Sequence, residues 1–144
     1  MLSVYVPHGT SLERIVVEPG AALPDEAVWI DLVSPTVAED KLVEKLLGIA
    51  VPTREEMQEI EVSSRLYVEN GARYMTASLM CAADTESPRI SPVTFILSDH
   101  RLVTVRYDLP KPFALVEHKL ARSAAPGING ETVLLELLDA VIDR

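Results

Sequence analysis

The segment RLYVENGARYMTASLM, Arg65 to Met80, contains the clearest local folding pattern of the chain. Asn70-Gly71 separates two runs that are rich in β-branched and aromatic residues. A two-residue Asn-Gly loop is typical of a type I′ turn, because both loop positions need positive φ. After the loop, apolar and other side chains alternate with the period of two that a strand requires. The segment therefore predicts an antiparallel β-hairpin.

The residues just before the hairpin, PTREEMQEIE from Pro52 to Glu61, are strongly acidic. Thr53 followed three residues later by Glu56 predicts a capping box and a short helix from Thr53 to about Ile60. Glu55 and Glu56 then occupy its first turn, where the helix dipole favours negative charge by ~0.3–1 kcal/mol. That role accounts for both residues. A hard cation such as Mg²⁺ needs only one or two carboxylates, so a binding role stays open as well.

The remaining elements follow from the same two periodicities. Thr36 and Glu39 form a second capping box, and Gly48 ends the apolar helical stripe that follows, which consists of Leu42, Val43, Leu46 and Leu47. A second hairpin is predicted from Pro92 to Tyr107. The other predicted strands are Leu2–Val6, Glu13–Val17 and Ala27–Leu32, and the other helices are Pro110–Arg122 and Gly130–Arg144. The last helix has one broad apolar face, which consists of Val133, Leu134, Leu137, Leu138, Val141 and Ile142. The pattern predicts an α/β fold of α+β-like, layered type: a mixed, partly antiparallel sheet with β-hairpins, flanked by helices on its faces.

Composition limits the class of protein. The 144 residues fit a single domain, 1–144, and a net charge of −9 disfavours nucleic acid or an anionic membrane surface as partner. The single cysteine, Cys81, excludes an internal disulfide and fits a reducing compartment. No apolar run approaches the ~20 residues of a membrane span, so we expect a soluble domain.

The catalytic interpretations find no support in the sequence. There is no glycine-rich phosphate loop, and His8, His100 and His118 stand apart from one another without the close-spaced partners of a zinc site. Cys81 has no partner nearby in the sequence and is predicted to be core packing, as is Trp29. These observations predict a protein that is not an enzyme.

Taken in order, WIDL, PTVAED, LLGI, the block from Pro52 to Ala77, VTFIL, LVTVRYDLPKPF and LLELLDAVID resemble the cytoplasmic N-terminal domain of CorA-like magnesium/divalent cation transporters. The resemblance runs from Trp29 to Arg144 and extends weakly to the two strands before it. It implies an inner-membrane, homopentameric channel that carries Mg²⁺, and in some members Co²⁺, Ni²⁺ or Zn²⁺. A stalk helix, two membrane helices and a Gly-Met-Asn signature would lie outside this chain. We therefore expect the membrane to be reached only through the part that follows.

The resemblance also implies a regulatory site. In the family, cytosolic Mg²⁺ binds between subunits and holds the channel closed. The matching acids here are Glu55 and Glu56 in TREEM and Asp139 in LLDAVID, with glutamate at Glu56 where the family has aspartate. A further acid would come from the stalk of a neighbouring subunit. The alternative is a stand-alone acidic module that binds a metal or small molecule and is related to the family in structure only.

Overall fold

The computed structural model describes residues 1–59, 66–81 and 86–142. This part of the chain contains one seven-stranded sheet and four helices. The strands are β1 (Leu2–His8), β2 (Ser11–Val16), β3 (Trp29–Val33), β4 (Leu66–Glu69), β5 (Ala72–Cys81), β6 (Arg89–Ser98) and β7 (Arg101–Arg106), and the helices are α1 (Val37–Leu47), α2 (Arg54–Gln58), α3 (Lys111–Arg122) and α4 (Gly130–Ile142).

The strand order in the sheet is β2-β1-β3-β7-β6-β5-β4. Strands β3 and β7 pair in parallel, and the other neighbouring strands pair antiparallel. The parallel pair is possible because the connection between β3 and β7 is long and includes helices. The predicted mixed, partly antiparallel sheet with helices on its faces is confirmed.

Strand alternation divides the core into two clusters, one on each face of the sheet. Within β7, for example, Val103 and Val105 belong to one cluster and Leu102 to the other. The first cluster contains Val43 of α1 and Met57 of α2, and we call this side the α1–α2 face. The second contains Phe113 of α3 and Val133 of α4, and we call it the α3–α4 face. Both faces of the central strands are therefore covered by helices.

A buried ion pair and its hydrogen-bond partners lie within the α3–α4 face. The Arg106 guanidinium donates to both carboxylate oxygens of Asp31, at 3.1 and 2.7 Å, and stacks 4.2 Å from the ring centroid of Phe113. The Thr104 hydroxyl donates to the same carboxylate at 2.8 Å and accepts from the Trp29 indole at 2.9 Å. Because each charge finds a partner, this interior ion pair avoids the cost of an isolated buried charge.

The hairpin predicted at Asn70-Gly71 is present. Glu69 pairs with Ala72, and φ is 51° at Asn70 and 78° at Gly71, as the tight loop requires. The second hairpin is also present, with Ser98 paired to Arg101. Its first strand begins at Arg89, before the predicted start, because pairing with β5 extends the ladder to Cys81.

Several details differ from the sequence expectation. Helix α2 ends at Gln58, and the predicted end near Ile60 lies outside the described residues, as do the last two residues of the predicted C-terminal helix. Leu46, placed on the buried stripe of α1, is 51% exposed, and Ile142, placed on the buried face of α4, is 81% exposed.

Trp29 and Cys81 are buried as predicted. Across the described ranges, no helix combines the length and apolar character needed to cross a membrane.

Candidate cation-binding site

The short helix α2 carries two of the three predicted site residues. Its capping box is complete: the Thr53 hydroxyl accepts from the Glu56 amide at 3.1 Å, and the Glu56 carboxylate accepts from the Thr53 amide at 2.8 Å. Met57, with 4% of its surface exposed, fixes the helix on the α1–α2 face. A five-residue helix is marginal by itself, so the cap and this one buried side chain determine where α2 lies.

The connection between α1 and α2 is held by two further side chains. The Tyr74 hydroxyl donates to the Ala50 carbonyl at 2.6 Å and accepts from the Ala50 amide at 3.1 Å. The Glu44 carboxylate accepts from the Val51 amide at 2.8 Å. These bonds satisfy backbone groups that the turn leaves without helical or strand partners. They anchor the chain just before Thr53 and so set the position of α2.

The carboxylates of α2 face outward. Glu55 and Glu56 are both exposed, and only one Glu56 oxygen, Oε1, is used by the capping box. Among the described residues, no hydrogen bond or ion pair involves the Glu55 carboxylate. Arg54 points instead to Tyr107, with its guanidinium carbon 5.3 Å from the ring centroid. Two adjacent carboxylates with free oxygens fit one side of a hydrated Mg²⁺ ion, which keeps several waters.

Asp139 lies on α4, which is fixed at its first residue. The Gly130 amide donates to the His100 carbonyl at 2.6 Å, and a Cβ at position 130 would lie 2.3 Å from the Leu102 backbone nitrogen. Glycine therefore permits a close approach of α4 to the start of β7. Farther along, Val133 and Leu137 are buried in the α3–α4 face, and Asp139 is exposed.

Two exposed apolar side chains lie on the same side of α4 as Asp139. Leu135 and Ile142, four residues before and three residues after Asp139, are 62% and 81% exposed. Residues at these spacings lie on the same side of a helix as Asp139. The acid is thus flanked by uncovered apolar side chains. Lys119 of α3, the nearby cation, donates to Glu136 at 2.6 Å.

The structure does not bring the three predicted site residues together. Glu55 and Glu56 belong to the α1–α2 face, and Asp139 belongs to the α3–α4 face, so the sheet lies between them. In the described part of the chain, no group of three or more histidine, cysteine or acidic side chains could hold a metal ion. Within one chain, the three predicted acids therefore stand in two separate places, one on each face of the sheet.

A concave pocket adjoins α2 on the α1–α2 face. Its volume is about 370 Å³, and the carboxylates of Glu56, Glu59 and Glu69 line it together with Tyr67 and Met57. Tyr67 stacks on Tyr74 with ring centroids 4.6 Å apart. Burial, together with the nearby charges of Tyr74, Glu69 and Glu56, raises the pKa of the Tyr67 hydroxyl above its usual range. The pocket is acidic and has one aromatic wall.

Sequence reasoning missed the side chains that position the site. The sequence patterns indicate no role for Tyr74 beyond its place in an alternating strand, nor for Glu44 beyond its place in α1, and they show Gly130 only as the first residue of the last helix. Each acts on a partner that is distant in the sequence or lies across a turn. For Gly130, its position at the start of an amphipathic helix is the only available indication, since glycine is a poor interior helix residue.

The architecture places the chain in a known structural class. It matches the soluble domain of CorA from Methanocaldococcus jannaschii with a TM-score of 0.59 at 20% identity, over 78% of this chain and 46% of that one. The complete CorA magnesium transporter from the same organism matches with a TM-score of 0.63 at 14% identity, over 98% of this chain and 44% of the other. The fold is therefore that of a CorA-type soluble domain.

Sequence comparison identifies the family. The model of the CorA-like Mg2+ transporter protein family matches residues 24–144, and the chain belongs to this family. It is 30% identical over 144 residues to the magnesium transport protein CorA of Salmonella typhimurium, covering 100% of this chain and 45% of that protein. The CorA protein of Wolinella succinogenes is 26% identical over 146 residues, with 99% and 41% covered. The chain thus spans less than half the length of these relatives.

Proposed function

We propose that the chain forms the cytoplasmic domain of a CorA-like transporter that moves Mg²⁺ across the cell membrane. Family membership and the shared fold support this role. The relatives are magnesium transport proteins, which supports Mg²⁺ as the cation. Transport of Co²⁺, Ni²⁺ or Zn²⁺ and assembly as a homopentamer are parts of the same proposal. The role of the domain would be regulatory and not enzymatic.

The regulatory site would be formed between subunits. In this proposal, Glu55 and Glu56 of one chain supply one side of a Mg²⁺ site, and Asp139 contributes at an interface with a neighbouring chain. The observation that carries it is the placement of exposed acids on opposite faces of the sheet. Copies arranged around a ring can present opposite faces to one another, whereas one copy cannot join its own two faces.

The uncovered apolar side chains around Asp139 support an interface there. Leu135 and Ile142 would be buried by a neighbouring segment, which gives the contact a hydrophobic contribution beyond the ion itself. An exposed acid between them would otherwise oppose that contact. A bound cation, or a basic partner, would remove the opposition.

An ion bridging two chains would act by differential affinity. If Mg²⁺ binds the closed arrangement more tightly than the open one, it shifts the population toward the closed state. When cytosolic Mg²⁺ falls, the bridge is lost and the like charges of Glu55 and Glu56 repel the facing acids. The domain would then sense the concentration of the transported ion.

The test uses the full-length protein and measures currents at several internal Mg²⁺ concentrations. We expect the combined Glu55→Gln, Glu56→Gln and Asp139→Asn variant to need higher internal Mg²⁺ for inhibition. Glu131→Gln is the matched control, because Glu131 is an exposed acid of the same helix as Asp139. Inhibition at an unchanged Mg²⁺ concentration in the triple variant would sink the regulatory site.

The alternative, a stand-alone acidic binding module, is favoured by the pocket beside α2. Three carboxylates and an aromatic wall in a volume of about 370 Å³ would suit a small organic cation. This function predicts saturable binding of a small diamine to the chain by itself, which calorimetry can detect. Absence of such binding, together with altered Mg²⁺ inhibition in the triple variant, would decide for the transporter domain.

A further inference from the structure

Asp40, in the first turn of α1, has an unusual environment for a surface-helix carboxylate. Its Oδ1 atom is buried, and no described residue donates a hydrogen bond to it. An ionised carboxylate without a donor loses hydration and gains nothing in return. The side chain is therefore held in a place where its charged form is disfavoured.

The charges around Asp40 add to this effect. Glu39 precedes it, and Glu44 lies four residues later, where two helical side chains of like charge face each other unfavourably. Glu44 cannot turn away freely, because its Oε2 accepts the Val51 amide hydrogen bond. The amino group of Met1, 3.2 Å from a Glu39 oxygen, is the nearby positive charge and opposes the two glutamates.

Tyr107, the residue that follows β7, is near enough to Asp40 to feel its charge. Tyr107 is partly buried, and burial followed by the charges of Asp40 and Glu55 raises the pKa of its hydroxyl. Arg54 stacks near the same ring. Tyr107 is thus a common neighbour of α1 and α2.

We propose that Asp40 makes the α1–α2 face responsive to protons: its carboxyl takes up a proton in the folded chain under mildly acidic conditions, and that proton stabilises the packing of α1. A neutral carboxyl no longer repels Glu44, and it loses less hydration free energy than a charged one when Oδ1 is buried. The protonated group can also donate a hydrogen bond, which the charged form cannot.

The direction of the pH effect follows from the pKa of this group. Burial, and then the charges of Glu44 and Glu39, raise the pKa of Asp40 from 3.8 to about 6. Between these two pH values the folded chain therefore binds more protons than the unfolded chain. The contribution of Asp40 to the free energy of unfolding consequently rises as pH falls toward 4. Above pH 6 the site lowers stability.

The direct test is a carbon-detected NMR titration of side-chain carboxyls in the 144-residue chain, with the Asp40 resonance assigned by its loss in Asp40→Asn. We expect a midpoint near pH 6, where the ordinary value is 3.8. Glu44→Gln should lower that midpoint, because it removes the neighbouring carboxylate whose charge raises the pKa of Asp40 the most. A midpoint at or below the ordinary value would overturn the proposal.

Unfolding experiments give an independent measurement. Asp40→Asn should raise the denaturation midpoint relative to the unmodified chain at pH 7.5, and the difference should shrink as pH falls below about 6 and become small at pH 4. Glu39→Gln is a matched control, because its effect on stability should have the opposite sign. Burial opposes ionisation of Glu39, but hydrogen bonds from the Thr36 amide and the chain amine lower its pKa overall. Glu39→Gln should therefore lower the denaturation midpoint at neutral pH and not in acid. An effect of Asp40→Asn that is equal at both pH values would contradict the proposal.

Discussion

Glu55 and Asp139 lie on opposite faces of the same seven-stranded sheet, Glu55 on α2 and Asp139 on α4. Each side chain is exposed, and each is carried by a helix whose buried residues belong to a different core cluster. A Mg²⁺ ion shared by these two acids would therefore need two copies of the chain. This relationship determines what the isolated chain should and should not bind.

We expect the isolated chain to bind Mg²⁺ only weakly. Two adjacent glutamates on α2 offer few ligands, and a hydrated Mg²⁺ ion gives up its waters reluctantly. Isothermal titration calorimetry of the monomeric chain should show no tight saturable site. A tight 1:1 site that disappears in Glu55→Gln would contradict the intersubunit arrangement.

Glu56 has a structural role that can be separated from any role in cation binding. Glutamine keeps an oxygen that can accept the Thr53 amide, whereas alanine does not, so Glu56→Gln should preserve the capping box and Glu56→Ala should not. Thr53→Ala, which removes the other half of the box, should lower the free energy of unfolding by about 1 kcal/mol.

Chemical denaturation of these three variants provides the measurement. If Glu56→Gln and Glu56→Ala were equally destabilised, the carboxylate charge and not the cap would hold α2. If Glu56→Gln instead keeps the stability of the unmodified chain, it is the variant that separates metal binding from folding.

The buried ion pair between Asp31 and Arg106 should be a large contributor to stability when one partner is removed. Asp31→Ala leaves the Arg106 guanidinium buried without its counter-charge, and we expect a loss of about 3–5 kcal/mol in the free energy of unfolding. Arg89→Ala, which breaks the exposed pair with Asp108, should have little effect. Urea unfolding at neutral pH measures the free energy of unfolding of both variants. Equal losses would show that burial does not determine how much each ion pair contributes to stability.

Gly130 should tolerate no side chain. In Gly130→Ala the new Cβ would meet the backbone of Arg101 and Leu102, so α4 must move away from β7 at a cost of about 3 kcal/mol. Gly127→Ala is the control: its Cβ would meet open space, and only its positive φ of 70° opposes the change, by about 1 kcal/mol. Thermal unfolding of both variants distinguishes backbone crowding from local strain.

Local patterns predicted the elements of this fold well, because their causes lie within a few residues. Asn70-Gly71 required a tight turn whatever the rest of the chain did, and the two Thr-x-x-Glu boxes fixed the starts of α1 and α2. Contacts between residues that are distant in the sequence could not be predicted in the same way. The Tyr74 hydroxyl meets Ala50 only after β5 and the α1–α2 turn are in place.

The arrangement of the candidate site also depended on the tertiary structure. Periodicity indicates which side of a helix is buried, but not which face of a sheet that helix covers. The resemblance to the family joined Glu55, Glu56 and Asp139 in one intersubunit site, and nothing in the sequence pattern showed that the sheet separates them within a chain. The exposure of Leu46 and Ile142 was missed for a related reason, since an apolar stripe can extend beyond the surface that the chain itself covers.

The contact between Gly130 and β7 makes α4 resemble a lever with its pivot at one end. At 1.5 Å per residue, Asp139 lies roughly 13 Å along the helix from that pivot, so a tilt of about 5° would displace it by roughly 1 Å. The amide of Gly130 would hardly move in such a tilt, and the strands would keep their register. A small rotation where α4 meets the central strand β7 would thus become a displacement of about 1 Å at the acid near the far end of α4.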